Sequence, residues 1–290
     1  MPSQTDKPPD LRSLTLMLAS VALFSVNTLL IRAISLHYPA ADGWLASLFR
    51  GVIGMFMVIA LHGWGRGLRL DRLFASKLVA LRGVVGGLAI IIFYVTIVKL
   101  GAARAVILNL TYPVFGTVIA AVWLKEKLSR ASMVWMIVGL CGLAAFLSDD
   151  GKLFNPSTYD LLALLGAAAS GWVIVIIRRL RHEEHPATIF ASQALYSLVI
   201  ASPAVVKLPQ LPPVAWLGLI AAASVVAIAQ LQMTRAYQTM SVAKGSSIQM
   251  LLPIVTGIGG FLFVGESFHP VEILGAVLTL LATWRVVVGK

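Results

Sequence analysis

Charge is scarce in this chain. Asp, Glu, Lys and Arg make up 12% of its 290 residues, and 59% are apolar. Soluble domains run near a quarter charged and under half apolar. A chain this poor in polar groups could not cover a water-facing surface, so a soluble fold is excluded. Cysteine is nearly absent. The single Cys141 rules out an internal disulfide and a cysteine metal cluster. Acid is scarcer than base, and the net charge is +11. In a soluble protein that excess would suggest nucleic acid, but no loop here is long enough to form a reading domain. The phosphate loop of ATP-driven pumps is missing too.

What is present is a series of apolar runs. A helix needs about 20 mostly apolar residues to cross a bilayer. The pattern predicts ten spans, at 13–35, 44–62, 79–99, 102–123, 130–148, 158–178, 187–206, 213–237, 243–264 and 270–288. The second contains Arg50, and Arg82 lies early in the third. Of the 23 basic residues, sixteen fall in loops and ends on one side of this arrangement and five on the other. Basic loops stay in the cytoplasm, so both termini are predicted to be cytoplasmic. The segment 1–12, with three prolines before Leu11, reads as a short cytoplasmic tail rather than a cleavable signal. Ten helices exclude an outer-membrane barrel, which points to the cytoplasmic (inner) membrane of a prokaryote.

The chain also repeats itself at an offset of 140 residues. ARAVILNLTYPVFGTVIAAVWLKEKL runs from Ala103 to Leu128, and AKGSSIQMLLPIVTGIGGFLFVGESF from Ala243 to Phe268. Arg104 matches Lys244, Asn109 matches Gln249, Pro113 matches Pro253 and Glu126 matches Glu266. The match lays the fourth span over the ninth, and so five spans over five. Five is odd, so the halves enter the membrane from opposite sides. The predicted fold is an all-α membrane protein of two inverted five-helix repeats, 13–148 and 158–290, joined by an external linker at 149–157. Such repeats build many secondary transporters, with the substrate at the midplane between them.

These Pro-to-Glu segments, with Arg50 in the second span, resemble the drug/metabolite transporter superfamily, in its EamA-type ten-helix branch. In overall appearance the chain is most similar to the bacterial exporters of aromatic amino acids (the YddG type). The second half departs from the first in carrying Gln193 and Tyr196 near the place of Arg50. The resemblance implies export of small metabolites without ATP and without a cofactor.

Candidate transport residues are polar or aromatic groups at membrane depth. A proline inside a helix frees the carbonyl four residues earlier. For Pro113 and Pro253 those carbonyls belong to Asn109 and Gln249, which add side-chain amides. Either the amides satisfy local backbone and neighbouring helices, or they line a site for the ammonium and carboxylate of an amino acid. Asn27, Tyr94, Tyr112, Trp172, Gln230 and Ser246 join them as candidate lining residues. Pro113 and Pro253, with Gly257, Gly259 and Gly260 after the second, are candidate hinges. Gly83, Gly86 and Gly87, and Gly139 and Gly142, suit close helix contact. Arg50 and Arg82 stand near enough to span ends to snorkel, and a functional charge is the other reading.

All twelve acids and all five histidines fall at predicted ends or loops. Proton-coupled carriers usually keep one in the interior, so movement of substrate down its own gradient is expected. Glu126 and Glu266 are expected to act at helix ends. A membrane enzyme is disfavoured, since no span pairs carboxylates, joins His to Asp or sets a serine beside a base. Channels tend to show filter motifs, and nucleotide-sugar carriers need cations for a diphosphate. A proton-coupled multidrug or other metabolite exporter is the alternative. The expected partners are the bilayer and one small molecule, with a monomer favoured.

Overall fold

A computed structural model of the protein describes residues 11–63, 67–123, 130–147, 156–180, 183–236 and 248–288. Among these there is no strand, and the elements are helices joined by short turns. They are α1 (Leu11–His37), α2 (Gly43–His62), the single turn α3 (Arg72–Ala75), α4 (Lys77–Leu100), α5 (Ala102–Asn109), α6 (Tyr112–Trp123) and α7 (Arg130–Phe146). There follow α8 (Thr158–Leu180), α9 (Pro186–Ala201), α10 (Pro213–Ala236), α11 (Leu252–Gly259) and α12 (Pro270–Val288). Seven segments are long and apolar enough to cross a membrane, counting α5 with α6 as one; Met133–Phe146 and Leu252–Val264 are shorter apolar helices. Large side chains such as Phe56, Ile137, Leu217 and Phe263 are exposed, as a lipid-facing surface permits and a water-facing one does not.

The seventh predicted span departs from a plain α-helix. It changes to a 3-10 helix at Ser202–Gln210, where Pro203 and Pro209 interrupt the regular bonding. Polar caps set other boundaries. The Asp42 carboxylate accepts from the amides of Trp44 and Leu45, both at 3.1 Å, and starts α2.

Two spans are broken rather than kinked. After Asn109 the chain turns at Leu110 and Thr111 and restarts at Tyr112. The Thr111 hydroxyl and amide both donate to Leu108 O, at 2.7 and 3.2 Å. In the second half the turn is Met250–Leu251 and the restart Leu252. Pro113 and Pro253 are each the second residue of the restarted helix, where a missing N–H costs little. This corrects the expectation of a proline-kinked continuous helix. The proline does not interrupt a helix but begins one.

The packing comes in matched sets. α1 packs on α10, and α4 on α8. Both pairs are antiparallel, as Asn27 meets Ala222 and Ile34 meets Gly218, while Ile92 meets Gly166 and Lys99 meets Tyr159. α4 packs on α9, and α10 on α2; α6 packs on α8, and α11 on α1. α2 also packs on α4, and two further large contacts join helices of the same rank in each half: α2 with α9, and α7 with α12. The last pair is also antiparallel, with Gly139, Gly142 and Gly275 seated on Ala282, Thr279 and the Phe146 backbone. Gly83, Gly86 and Gly87 likewise seat α4 on Ser192, Gln193, Tyr196 and Ser197 of α9. A side chain at these positions would hold the helices apart.

Candidate functional site

A chain of hydrogen bonds crosses the bundle among α2, α4, α1 and α10. Arg50 Nη1 donates to Tyr94 Oη at 3.2 Å, Tyr94 Oη donates to Asn27 Oδ1 at 3.2 Å, and Asn27 Nδ2 donates to Ala222 O at 2.9 Å. Asn27 and Tyr94 are 2% and 1% exposed. The Arg50 guanidinium also stands 5.7 Å from the centre of the Tyr94 ring. Each donor finds an acceptor, which is what makes burial of these groups tolerable.

Arg82 is the second charge in this region. It lies more than a turn inside α4 and is 5% exposed. The snorkelling expected for it is therefore corrected. Its head turns onto α9, where Nη2 donates to Gln193 Oε1 at 2.7 Å, and Gln193 Nε2 donates to Gly86 O at 3.3 Å. Among the described residues Arg82 Nε and Nη1 have no hydrogen-bond partner. Among the described residues no carboxylate forms an ion pair with Arg50 or Arg82.

Two cavities adjoin this cluster. A small one, about 10 Å³, is lined by Arg50, Gly51, Ile90, Phe190, Gln193, Ala194 and Ser197. A large one, about 580 Å³, opens where α2 and α10 end and α9 begins. Its walls include Met57, Leu61, His62, His185, Phe190, Gln230 and Arg235. That volume suits a small metabolite. Phe190 belongs to both linings.

The predicted lining residues are thus divided. Asn27 and Tyr94 are in direct contact, and Gln230 faces the large cavity. Gln249 Nε2 lies 2.7 Å from Met233 Sδ on α10. Asn109 is half-buried at the end of α5, and Tyr112 half-buried at the start of α6. Trp172 is exposed and meets Trp123 edge-on, with ring centres 6.1 Å apart. Ser246 and Glu126 lie outside the described residues. Sequence reasoning passed over Gln193 and Phe190 as site residues and weighed Arg82 only lightly. The signal for Arg82 was an arginine inside an apolar run; Phe190 gave none.

The opposite end of the bundle is tied by ions. Arg104 donates to Asp160 at 2.8 and 3.2 Å and to Glu272 at 2.9 Å, joining α5, α8 and α12. Glu266 accepts from the amides of Ala102 and Ala103 and so caps α5, with Arg32 Nε 3.8 Å away. Lys207 pairs with Asp42. Glu266 therefore has the helix-end role expected for it.

The family profile of EamA-like transporters matches residues 11–148 and again 157–288. The chain belongs to the EamA-like transporter family. EamA relatives with curated descriptions are distant. The pseudopaline exporter CntI of Pseudomonas aeruginosa is 28% identical over 263 residues, 89% of this chain and 90% of that one. An uncharacterized transporter of Helicobacter pylori J99 is 26% identical over 216 residues, 70% of this chain and 71% of its own. The substrate named among these relatives is pseudopaline and not an aromatic amino acid, so kinship to the YddG type does not carry over from them. A crystal structure at 16% identity covers 94% of this chain and 95% of its own with a TM-score of 0.61, which speaks to the fold alone. The protein is accordingly a multi-pass membrane transporter of the EamA family.

Proposed function

We propose that the protein exports small amphipathic metabolites across the inner membrane by alternating access between two inverted five-helix repeats, with both termini cytoplasmic. It works as a carrier and not as an enzyme. The observation that carries this reading is the pair of helix breaks before Pro113 and Pro253. Broken helices at corresponding places in two halves mark the substrate region of carriers built from inverted repeats. The matched helix pairs, the antiparallel α7–α12 contact and the double family match support the same reading. In this orientation the large cavity faces the cytoplasm and the ion-paired end faces outward, as an exporter waiting for cargo requires.

Hydrophobic and aromatic amino acids are the first candidate cargo, because the large cavity has Met57, Leu61 and Phe190 on its walls beside Gln230. The pseudopaline exporter favours a second reading, a larger metabolite. Transport is facilitated diffusion. Its support is that Asp42, Asp160, Glu266 and Glu272 are each held at helix ends by cations or backbone amides. The test is flux of radiolabelled tryptophan, phenylalanine and threonine, and of a cationic dye, in proteoliposomes with and without a pH gradient. Amino-acid flux indifferent to the gradient is expected. Flux that requires it would end the uniport reading, and movement of the dye alone would end the amino-acid reading.

A further inference from the structure

The export reading leaves the two arginines without a task. Both lie well inside helices, Arg82 more than a turn and Arg50 about two turns. Charges at such depth are normally matched by an acid or by backbone carbonyls. Here Arg50 has one neutral partner, the Tyr94 hydroxyl, and Arg82 has one, the Gln193 amide. Arg82 retains two buried donor nitrogens with no acceptor among the described residues. A buried guanidinium with such donors and no carboxylate beside it among those residues lacks an anion.

The surroundings suit one kind of anion. Gln193 accepts from Arg82 and lines the small cavity together with Arg50, so both guanidinium groups belong to its surroundings. A guanidinium receives a planar carboxylate through two parallel bonds. The small cavity cannot hold a carboxylate as it stands, at about 10 Å³. Its wall at Phe190 is also a wall of the large cavity, and rotation of that one ring would join the two. Ile90, Ala194 and the Phe190 ring make the approach apolar, which suits a molecule with an acid at one end and a hydrophobic body behind it.

We infer that Arg50 and Arg82, the latter held by Gln193, form a carboxylate subsite that receives the acid group of the cargo from the cytoplasmic cavity past Phe190. The inference deepens the export reading and depends on it for the cargo's identity. Binding at the subsite can be measured without transport.

The experiment takes the purified full-length protein and follows its thermal unfolding with 3-phenylpropanoate or, at matched sodium chloride, the neutral 3-phenylpropanamide. The acid is expected to raise Tm by about 3 °C or more at saturating concentration, and the amide to leave it unchanged. The rise is expected to vanish in Arg82→Gln and to shrink in Arg50→Gln, while Arg69→Gln, in an exposed pair, keeps it in full. Should Arg82→Gln fail to fold, Gln193→Leu serves, since it leaves both charges and removes the group that positions Arg82; its response is expected to fall by at least half. Equal response to acid and amide, or a full response in Arg82→Gln or Gln193→Leu, overturns the subsite. A protein that binds the acid through Arg82 yet moves no amino acid in liposomes keeps the subsite and loses the amino-acid reading. One that moves amino acids with all variants intact does the reverse.

Discussion

At one end of the bundle the helix tips are bound to each other by carboxylates, and at the other they stand apart around a cavity. The bound end uses Arg104 against both Asp160 and Glu272, and Glu266 against the first amides of α5. The Asp160 side chain is 1% exposed and that of Arg104 19%. The open end has an exposed pair, Arg69 with Asp71, and Arg72 beside Glu184. Ion pairs withdrawn from water are strong when intact and expensive when halved, whereas exposed ones contribute little. The two ends therefore differ in how many acids they bury: Arg104 gathers two at the bound end, whereas the open end buries one, Glu184, beside the exposed Arg72. Under the proposed export reading the bound end would be a latch that breaks as a unit for cargo to leave.

Breaking the latch gives the largest expected effect. Arg104→Met leaves Asp160 and Glu272 without their cation, and loss of about 3–5 kcal/mol is expected, read as a fall of roughly 10 °C in Tm. Adding Asp160→Asn and Glu272→Gln to Arg104→Met should restore part of it. No fall in the single variant would mean the latch does not hold. Glu266→Ala comes next. It removes the α5 cap, at about 1–2 kcal/mol, and Glu266→Gln, which keeps one acceptor, should lose about half as much; equal losses would show that charge and not capping matters. Away from both ends, Tyr94→Phe cuts the link between Arg50 and Asn27 for about 1 kcal/mol, measured by denaturant unfolding. The smallest effect sharpens the contrast. Arg69→Gln should change stability by less than about 0.5 kcal/mol, and a larger loss would erase the distinction between the ends.

Much of this architecture was legible in the sequence. The charge-free runs located the helices, because a bilayer admits only segments that satisfy their own backbone. The paired prolines located the two breaks, although they begin new helix segments instead of bending old ones. The site was legible only in part. Asn27 and Tyr94 stood out as polar groups at depth and do meet. Gln249 stood out for the same reason but approaches Met233, since a helix position fixes depth and not direction. Arg82 read as a residue able to reach an interface, and α9 captured it instead. Gly83, Gly86 and Gly87 let that helix come close enough to do so.

Local composition and spacing alone set which segments are apolar enough to be helical in lipid, where two prolines punctuate them, and that 103–128 matches 243–268. Those properties follow from composition and from local backbone chemistry, and each can be read within some twenty residues. Tertiary packing alone brings Arg50, Gln193 and Phe190 to one wall, sets Arg82 against Gln193, and lets Arg104 gather two acids from helices far along the chain. Such meetings depend on helix rotation and close packing. In a chain whose helices are apolar on every side, no hydrophobic stripe fixes that rotation in advance.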